Sequence, residues 1–143
     1  MKSLEIPAEK ARLTEVLDFV LGFAEELGFE EKELFQIKIC TEEIFVNVAS
    51  YAYAPDTGLI TVTADGSVDP LTVTLSFIDS GKPFDPLAKP DPEKNRPLSL
   101  AKKGGLGIFL TKRFMDEVSY AYQDGKNVLT IKKNHSQAES THE

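Results

Sequence analysis

The stretch Glu42–Tyr53, EEIFVNVASYAY, places a carboxylate and an amide on one side of an apolar helical pattern. Glu43 and Asn47 are about one helical turn apart, so both side chains can point into one cleft. A carboxylate can accept a proton from an attacking hydroxyl, and an amide oxygen can complete the oxygen shell of Mg²⁺. The alternative is an exposed helix edge without chemistry, because glutamate is a good helix former.

Two amphipathic helices are predicted around this stretch, because apolar residues recur at helical spacing on both sides of Gly28. The first is predicted over Leu13–Leu27, with Gly28 as its C-terminal stop. The second is expected to run to about Tyr53. The chain's one cysteine, Cys40, lies within its apolar pattern and is expected to be a buried packing residue.

Strands are predicted on either side of a third, shorter helix. Turn residues at Asp65, Gly66 and Asp69-Pro70 separate the first two strands after the helices. Helices that come early and strands that pair with close neighbours favour an α+β fold in two layers, with a mixed, mostly antiparallel sheet and helices on one face. The predicted segments are an extended opening over Lys2–Ile6, strands over Leu59–Ala64, Leu71–Asp79, Glu117–Gln123 and Asn127–Lys132, and a helix from Leu106 to Phe114.

The length and the net charge of the chain limit the possible domain organisation and the classes of binding partner. A chain of 143 residues with 41% hydrophobic content predicts one domain, over 1–133, followed by a polar tail over 134–143 in which His135 and His142 are solvated. The net charge of −7 argues against direct binding to nucleic acid or anionic lipid. The sequence contains no apolar run of about 18 residues and no signal-peptide pattern, so we expect a soluble, cytoplasmic protein.

A second candidate site lies in DSGKPFDP, residues 79–86. Asp79 continues the alternation of the apolar strand residues before it, which places its carboxylate on the covered side of the sheet. A buried charge is costly unless it is hydrogen-bonded, and the exocyclic amine of adenine is one suitable donor. Gly81 would let the backbone approach a flat ring closely. The alternative is that the strand ends at Ile78 and that Asp79 only opens a turn.

A third candidate site is the glycine-rich run KGGLGI, residues 103–108, which leads directly into an apolar helix. Backbone amides in such a turn and at a helix N-terminus form an anion site. The run matches neither the P-loop nor the Rossmann pattern, and a flexible hinge is the alternative. The proline-rich segment before it is too long for a plain connection, so we interpret about 86–103 as a lid.

Four segments, in order and spacing, resemble the N box, the two glycine boxes and the closing strand of the GHKL (Bergerat-fold) ATP-binding domains. Within that superfamily, the short chain, Phe-Asp-Pro after the first glycine box and Met-Asp-Glu-Val after the second are similar to the anti-sigma-factor serine kinases of the RsbW type. The resemblance spans about Leu13 to Lys133. The four segments are EEIFVNVASYAY, FIDSGKPFDP, GGLGIFLTKRFMDEVSY and NVLTIKK.

The resemblance implies that ATP lies between the sheet and the helices, under the lid. It makes Glu43 the general base toward a partner's serine, Asn47 the Mg²⁺ ligand and Asp79 the carboxylate that reads adenine. Two departures concern Tyr51, where many members have histidine, and Lys103, where an arginine is common. The other nucleotide-binding residues that the resemblance implies are Gly81 and Phe84 near the base, Gly104, Gly105, Leu106 and Gly107 at the phosphates, and Thr130 at adenine, directly or through water.

The implied function is an ATP-dependent serine kinase. Its substrate would be a STAS-type anti-sigma-factor antagonist, and by analogy with the family it would sequester a sigma factor and regulate it by partner switching. One alternative is a non-catalytic module whose affinity for a partner depends on the bound nucleotide. Another is the catalytic half of a histidine kinase, which is disfavoured because no phosphoacceptor-helix pattern precedes residue 13. Members of the family often form homodimers through sheet surfaces.

Overall fold

The computed structural model of the protein describes residues 1–88 and 106–135. Most of the expected lid, Gly104 and Gly105 of the glycine-rich run, and residues 136–143 of the expected tail lie outside the described residues. The described strands are β1 (Lys2–Pro7), β2 (Leu59–Val68), β3 (Leu71–Asp79), β4 (Glu117–Gln123) and β5 (Lys126–Asn134), and the helices are α1 (Leu13–Leu27), α2 (Glu31–Asn47) and α3 (Leu106–Phe114).

The described strands form one sheet in the order β1-β2-β3-β5-β4. Every pairing among them is antiparallel. The last strand, β5, is therefore inserted between β3 and β4, and its register places Asn127 opposite Asp79. This non-local pairing brings the end of the chain to the end of β3, where the second candidate site lies.

The helices pack on one face of this sheet and enclose the core with it. Helix α1 ends at Gly28, whose φ of 116° is the left-handed conformation that glycine adopts without steric cost. Helix α2 begins with Glu33 accepting a hydrogen bond from the Glu30 amide at 3.1 Å. The largest fully buried side chains are Phe45, Phe77, Ile37, Ile44, Ile60, Leu75 and Ile131.

The predicted α+β class, with helices on one face of the sheet, is confirmed. Cys40 is buried as expected, and burial raises the pKa of its thiol to about 11. None of the helices in the described part of the chain is long and apolar enough to cross a membrane.

Three boundaries differ from the sequence-based prediction. Strand β2 continues through the expected turn at Asp65 and Gly66 and ends at Val68. Helix α2 ends at Asn47, and a π-helical turn follows over Val48–Ala52.

The third difference is at the C-terminal end. Strand β5 extends through Asn134, the first residue of the expected tail. His135 is not simply solvated, because its Nδ1 lies 3.0 Å from Oε2 of buried Glu33 and its amide donates to the Leu71 carbonyl at 2.9 Å. The folded domain therefore includes Asn134 and His135.

Helix α2 offers a direct test of where the core lies. Phe45 is fully buried, whereas Phe35 on the same helix is 58% exposed. We expect Phe45→Ala to lower the free energy of unfolding by about 3–5 kcal/mol, because it leaves a cavity in the core. Phe35→Ala should change it by about 0.5 kcal/mol or less. Urea unfolding of the two variants measures this, and equal losses would contradict the described packing.

Candidate functional site

A cleft opens where the π-helical turn, the end of β3, the start of β5 and the start of α3 meet. Its enclosed volume is about 50 Å³. Its lining is mainly apolar with a few polar side chains, which is typical of small-molecule sites. Its lining includes Asn47, Tyr51, Asp79, Phe84, Ile108 and Asn127.

Asp79 is the buried carboxylate of this cleft, at 5% exposure. Its Oδ1 accepts two hydrogen bonds, from the Gly81 amide at 2.8 Å and from Asn127 Nδ2 at 2.9 Å. The strand continues through Asp79, so the alternative in which it ends at Ile78 is wrong. The two donors offset part of the cost of burying the charge. Within the described residues both bonds fall on one oxygen, which leaves Oδ2 as the acceptor for a ligand.

Gly81 lies against the π-helical turn. A Cβ at this position would come 2.2 Å from the Ala52 carbonyl oxygen, so only glycine fits without a backbone shift. The next amide, that of Lys82, donates to the same carbonyl at 2.9 Å. The π turn therefore presents a carbonyl that holds the Gly81–Lys82 loop and, with it, one wall of the cleft.

Asn127 is a residue of this site that we did not single out in the sequence. It is buried at 6% exposure and bonds both Asp79 and the loop after it. The available signal was its parity: Asn127 lies on the same face of the strand as the inward-facing Leu129 and Ile131, so the strand carries a polar residue at a core position. Tyr53 was also missed. Its hydroxyl accepts from the Ser80 amide at 2.7 Å and donates to the Leu59 carbonyl at 2.6 Å.

Glu43 and Asn47 meet as their spacing predicted. Asn47 Nδ2 donates to Glu43 Oε2 at 3.0 Å. The start of α3 packs directly on this pair, because a Cβ at Gly107 would lie 1.9 Å from Glu43 Cδ. Glycine at position 107 is thus required for the carboxylate and the helix to come this close.

The Glu43–Asn47 pair separates two cavities. Asn47 lines the cleft described above. Glu43 and Gly107 line a second, more open groove of about 470 Å³, together with Glu42 and apolar side chains of α1, α2 and α3. A group bound in the cleft and a group approaching through the groove would therefore meet at this pair.

Not all of the predicted residues reach the cleft. Thr130 bonds Ser76 at 3.1 Å across the sheet, and it alternates with the buried Leu129 and Ile131. The expectation that Thr130 contacts adenine does not agree with this placement, because its side chain is on the face away from the helices. Phe84 lines the mouth at 43% exposure, and Leu106 is the first residue of α3.

The donor set near Asn47 limits the kind of metal site. In the described residues no group of three or more His, Cys, Asp or Glu side chains is arranged to hold a metal ion. Mg²⁺ is often held by one or two protein groups together with substrate phosphates and water. Because Nδ2 of Asn47 is engaged by Glu43, its Oδ1 is the atom available to a cation. The residues present therefore fit a Mg²⁺ ion that arrives with a phosphate ligand.

Comparison with known proteins identifies the class. Residues 6–133 match the histidine kinase-like ATPase domain. The chain therefore belongs to the histidine kinase-like ATPase family, and the resemblance drawn from its motifs is confirmed at that level.

Individual relatives are named as kinases. The serine-protein kinase RsbW of Bacillus cereus strain B4264 is 28% identical over 133 residues, covering 90% of this chain and 82% of that protein. The serine/threonine-protein kinase BtrW of Bordetella bronchiseptica is 30% identical over 139 residues, covering 96% of each. The crystal structure of the RsbU and RsbW domains of Rv1364c from Mycobacterium tuberculosis has a TM-score of 0.63 at 19% identity. That match covers 93% of this chain but only 32% of the longer one, and it supports the fold.

The glycine contact at the π turn can be tested against a matched glycine. Gly81→Ala should lower the free energy of unfolding by about 1–3 kcal/mol, because the new methyl group collides with backbone. Gly22→Ala, in the middle of α1 with no atom within 4 Å of the new Cβ, should be neutral or stabilise by up to about 1 kcal/mol. Chemical denaturation measures both, and a Gly81→Ala variant as stable as Gly22→Ala would refute the close contact.

Proposed function

We propose that the cleft binds Mg·ATP and that the protein is a serine kinase of the anti-sigma-factor type. The observation that carries this proposal is the position of the Glu43–Asn47 pair between the cleft and the open groove. When bound, Mg·ATP supplies the phosphoryl group and neutralises developing charge. The chain's own residues then have to bind the base, hold the phosphate end and accept a proton.

Asp79 is proposed to read the base. Its Oδ2 is the oxygen that remains for the exocyclic amine of adenine, since Oδ1 already accepts two hydrogen bonds. Gly81 and Phe84 would lie beside the ring, because the first fixes the loop against the π turn and the second lines the mouth. The apolar remainder of the cleft suits a flat heterocycle.

The phosphate end is proposed to lie at the start of α3. Asn47 would ligate Mg²⁺ through Oδ1, and Gly107, with Leu106, would offer backbone at the helix N-terminus. Gly104 and Gly105 remain predictions for the same role. Backbone dipoles and Mg²⁺ would stabilise the negative charge of the phosphates. A protein of net charge −7 can therefore still bind a polyanion.

Glu43 is proposed as the general base. Its carboxylate lines the groove, so a hydroxyl of a partner protein can reach it from solvent while the nucleotide occupies the cleft. The carboxylate would take the hydroxyl proton as the serine oxygen bonds to phosphorus and the bond to the leaving ADP breaks. Asn47 holds the carboxylate in place through its hydrogen bond.

The names of the relatives support a serine side chain as the phosphate acceptor. We propose that the substrate is a serine of a STAS-type anti-sigma-factor antagonist, and that the protein regulates a sigma factor, and so transcription, by partner switching in the cytoplasm. The homodimer expected from the family stays a prediction.

Nucleotide binding is tested by calorimetry with ATP, with and without Mg²⁺. Asp79→Asn should weaken ATP binding by about 10- to 100-fold, because it removes the charged acceptor of a hydrogen bond. Asp56→Asn, an exposed substitution in the turn before β2, serves as the control and should bind as wild type does. Wild-type affinity in Asp79→Asn would contradict the assigned base contact.

Transfer is tested with radiolabelled ATP and a STAS-domain protein encoded beside this chain's gene. Glu43→Gln should slow phosphorylation by about 10²- to 10⁴-fold, the usual contribution of a general base. Its neighbour Glu42→Gln, which lines the same groove, should retain transfer. A Glu43→Gln variant as fast as wild type would mean that the base is misassigned. Nucleotide-dependent binding of the STAS protein with no transfer by wild type would favour the non-catalytic module.

A further inference from the structure

Asn127 uses its whole side-chain amide inside the protein. Nδ2 donates to Asp79 Oδ1 at 2.9 Å and to the Lys82 carbonyl at 2.8 Å. Oδ1 accepts from the Phe84 amide at 3.1 Å and from the Tyr120 hydroxyl. An amide has two donor hydrogens and two acceptor lone pairs, so these four bonds to described residues leave no capacity for a ligand. Although Asn127 lines the cleft, it is equipped to hold other groups rather than to bind a nucleotide.

The partners of Asn127 all belong to one end of the cleft. Asp79 ends β3, Lys82 and Phe84 form the loop that follows, and Tyr120 stands on β4. Burial raises the pKa of the Tyr120 hydroxyl, which keeps it protonated and able to donate. One side chain on β5 thus ties two strands and a loop together around the Asp79 carboxylate.

We propose that Asn127 is a positioning residue that sets the protein's preference for a base with an exocyclic amine. By donating to Oδ1, Asn127 fixes the rotation of the Asp79 carboxylate and leaves Oδ2 as its free acceptor. By binding Lys82 and Phe84, it holds the cleft wall at a fixed distance from that oxygen. The inference rests on the proposed binding of ATP and assigns the preference for adenine to two residues acting together.

A purely structural role predicts a different result. If Asn127 only stabilised the fold, its loss would lower stability and weaken all nucleotides alike. If it orients Asp79, its loss removes the hydrogen bond to the amine but not the stacking or phosphate contacts. The ratio of affinities for a nucleotide with the amine and one without it separates the two.

The experiment compares Mg·ATP with the Mg complex of purine riboside triphosphate, which is ATP without the exocyclic amine, by calorimetry. Wild type should prefer ATP by about 10- to 100-fold. Asn127→Ala should reduce this preference to about threefold or less, mainly through weaker ATP binding. Thr130→Val, on the outer face of the same strand, should leave the preference unchanged. An Asn127→Ala protein that folds and keeps the wild-type ratio would overturn the inference.

A second variant decides the matter if Asn127→Ala does not fold. Asn127→Asp keeps the side-chain shape but replaces the donor Nδ2 with an acceptor oxygen. The hydrogen bond that orients Asp79 Oδ1 is therefore lost without a large change in side-chain volume. The ATP preference of this variant at pH 8 should be about threefold or less. A preference equal to that of wild type at pH 8 would overturn the inference.

The wild-type titrations separate this inference from the proposed function. Failure of wild type to bind either nucleotide contradicts the proposed function and the inference together. If wild type prefers ATP and the Asn127 variants keep the same preference, the inference alone is contradicted. Equal binding of both nucleotides by wild type contradicts the base contact of Asp79, and with it the role of Asn127.

Discussion

The buried carboxylate of Asp79 is the constraint on which the rest of the cleft depends. A charge in this position is tolerated only with hydrogen-bond donors, and the chain supplies them from two distant places, the Gly81 amide and the Asn127 side chain. The first requires a glycine packed on the π-helical turn, and the second requires β5 beside β3 in one register. The strand order, the π-helical turn and the Gly81 loop are therefore all needed to bring hydrogen-bond donors to this one carboxylate.

A second constraint acts at the other end of the cleft. Helix α3 approaches α2 so closely that Gly107 lies on Glu43, and the Asn47 amide holds that carboxylate from the side. The same contact separates the cleft from the groove. Under the proposed function, this arrangement places the Glu43 carboxylate between a nucleotide in the cleft and a protein partner in the groove.

Much of this arrangement was accessible from local sequence. The helical spacing of Glu43 and Asn47 and the strand parity of Asp79 depend on residues close together in the chain. The structure brings Asn47 and Asp79 to one cleft and places Glu43 beside Asn47 in the adjoining groove. Features that depend on distant pairing were not accessible. Predicting close-neighbour pairing gives no reason to place β5 against β3, so the contact between Asn127 and Asp79 could not be foreseen. Thr130 was named in this strand because the family resemblance implied it. The π turn after Asn47 was missed because its sequence continues the apolar helical pattern.

A crystal structure of the protein with Mg²⁺ and a non-hydrolysable ATP analogue would test the nucleotide assignment most directly. The base should lie in the cleft with its exocyclic amine on Asp79 Oδ2, and the phosphates should lie between Asn47 and the start of α3, with Glu43 free to face the groove. A nucleotide bound elsewhere, or a base turned away from Asp79, would contradict the assignment of this cleft as the ATP site.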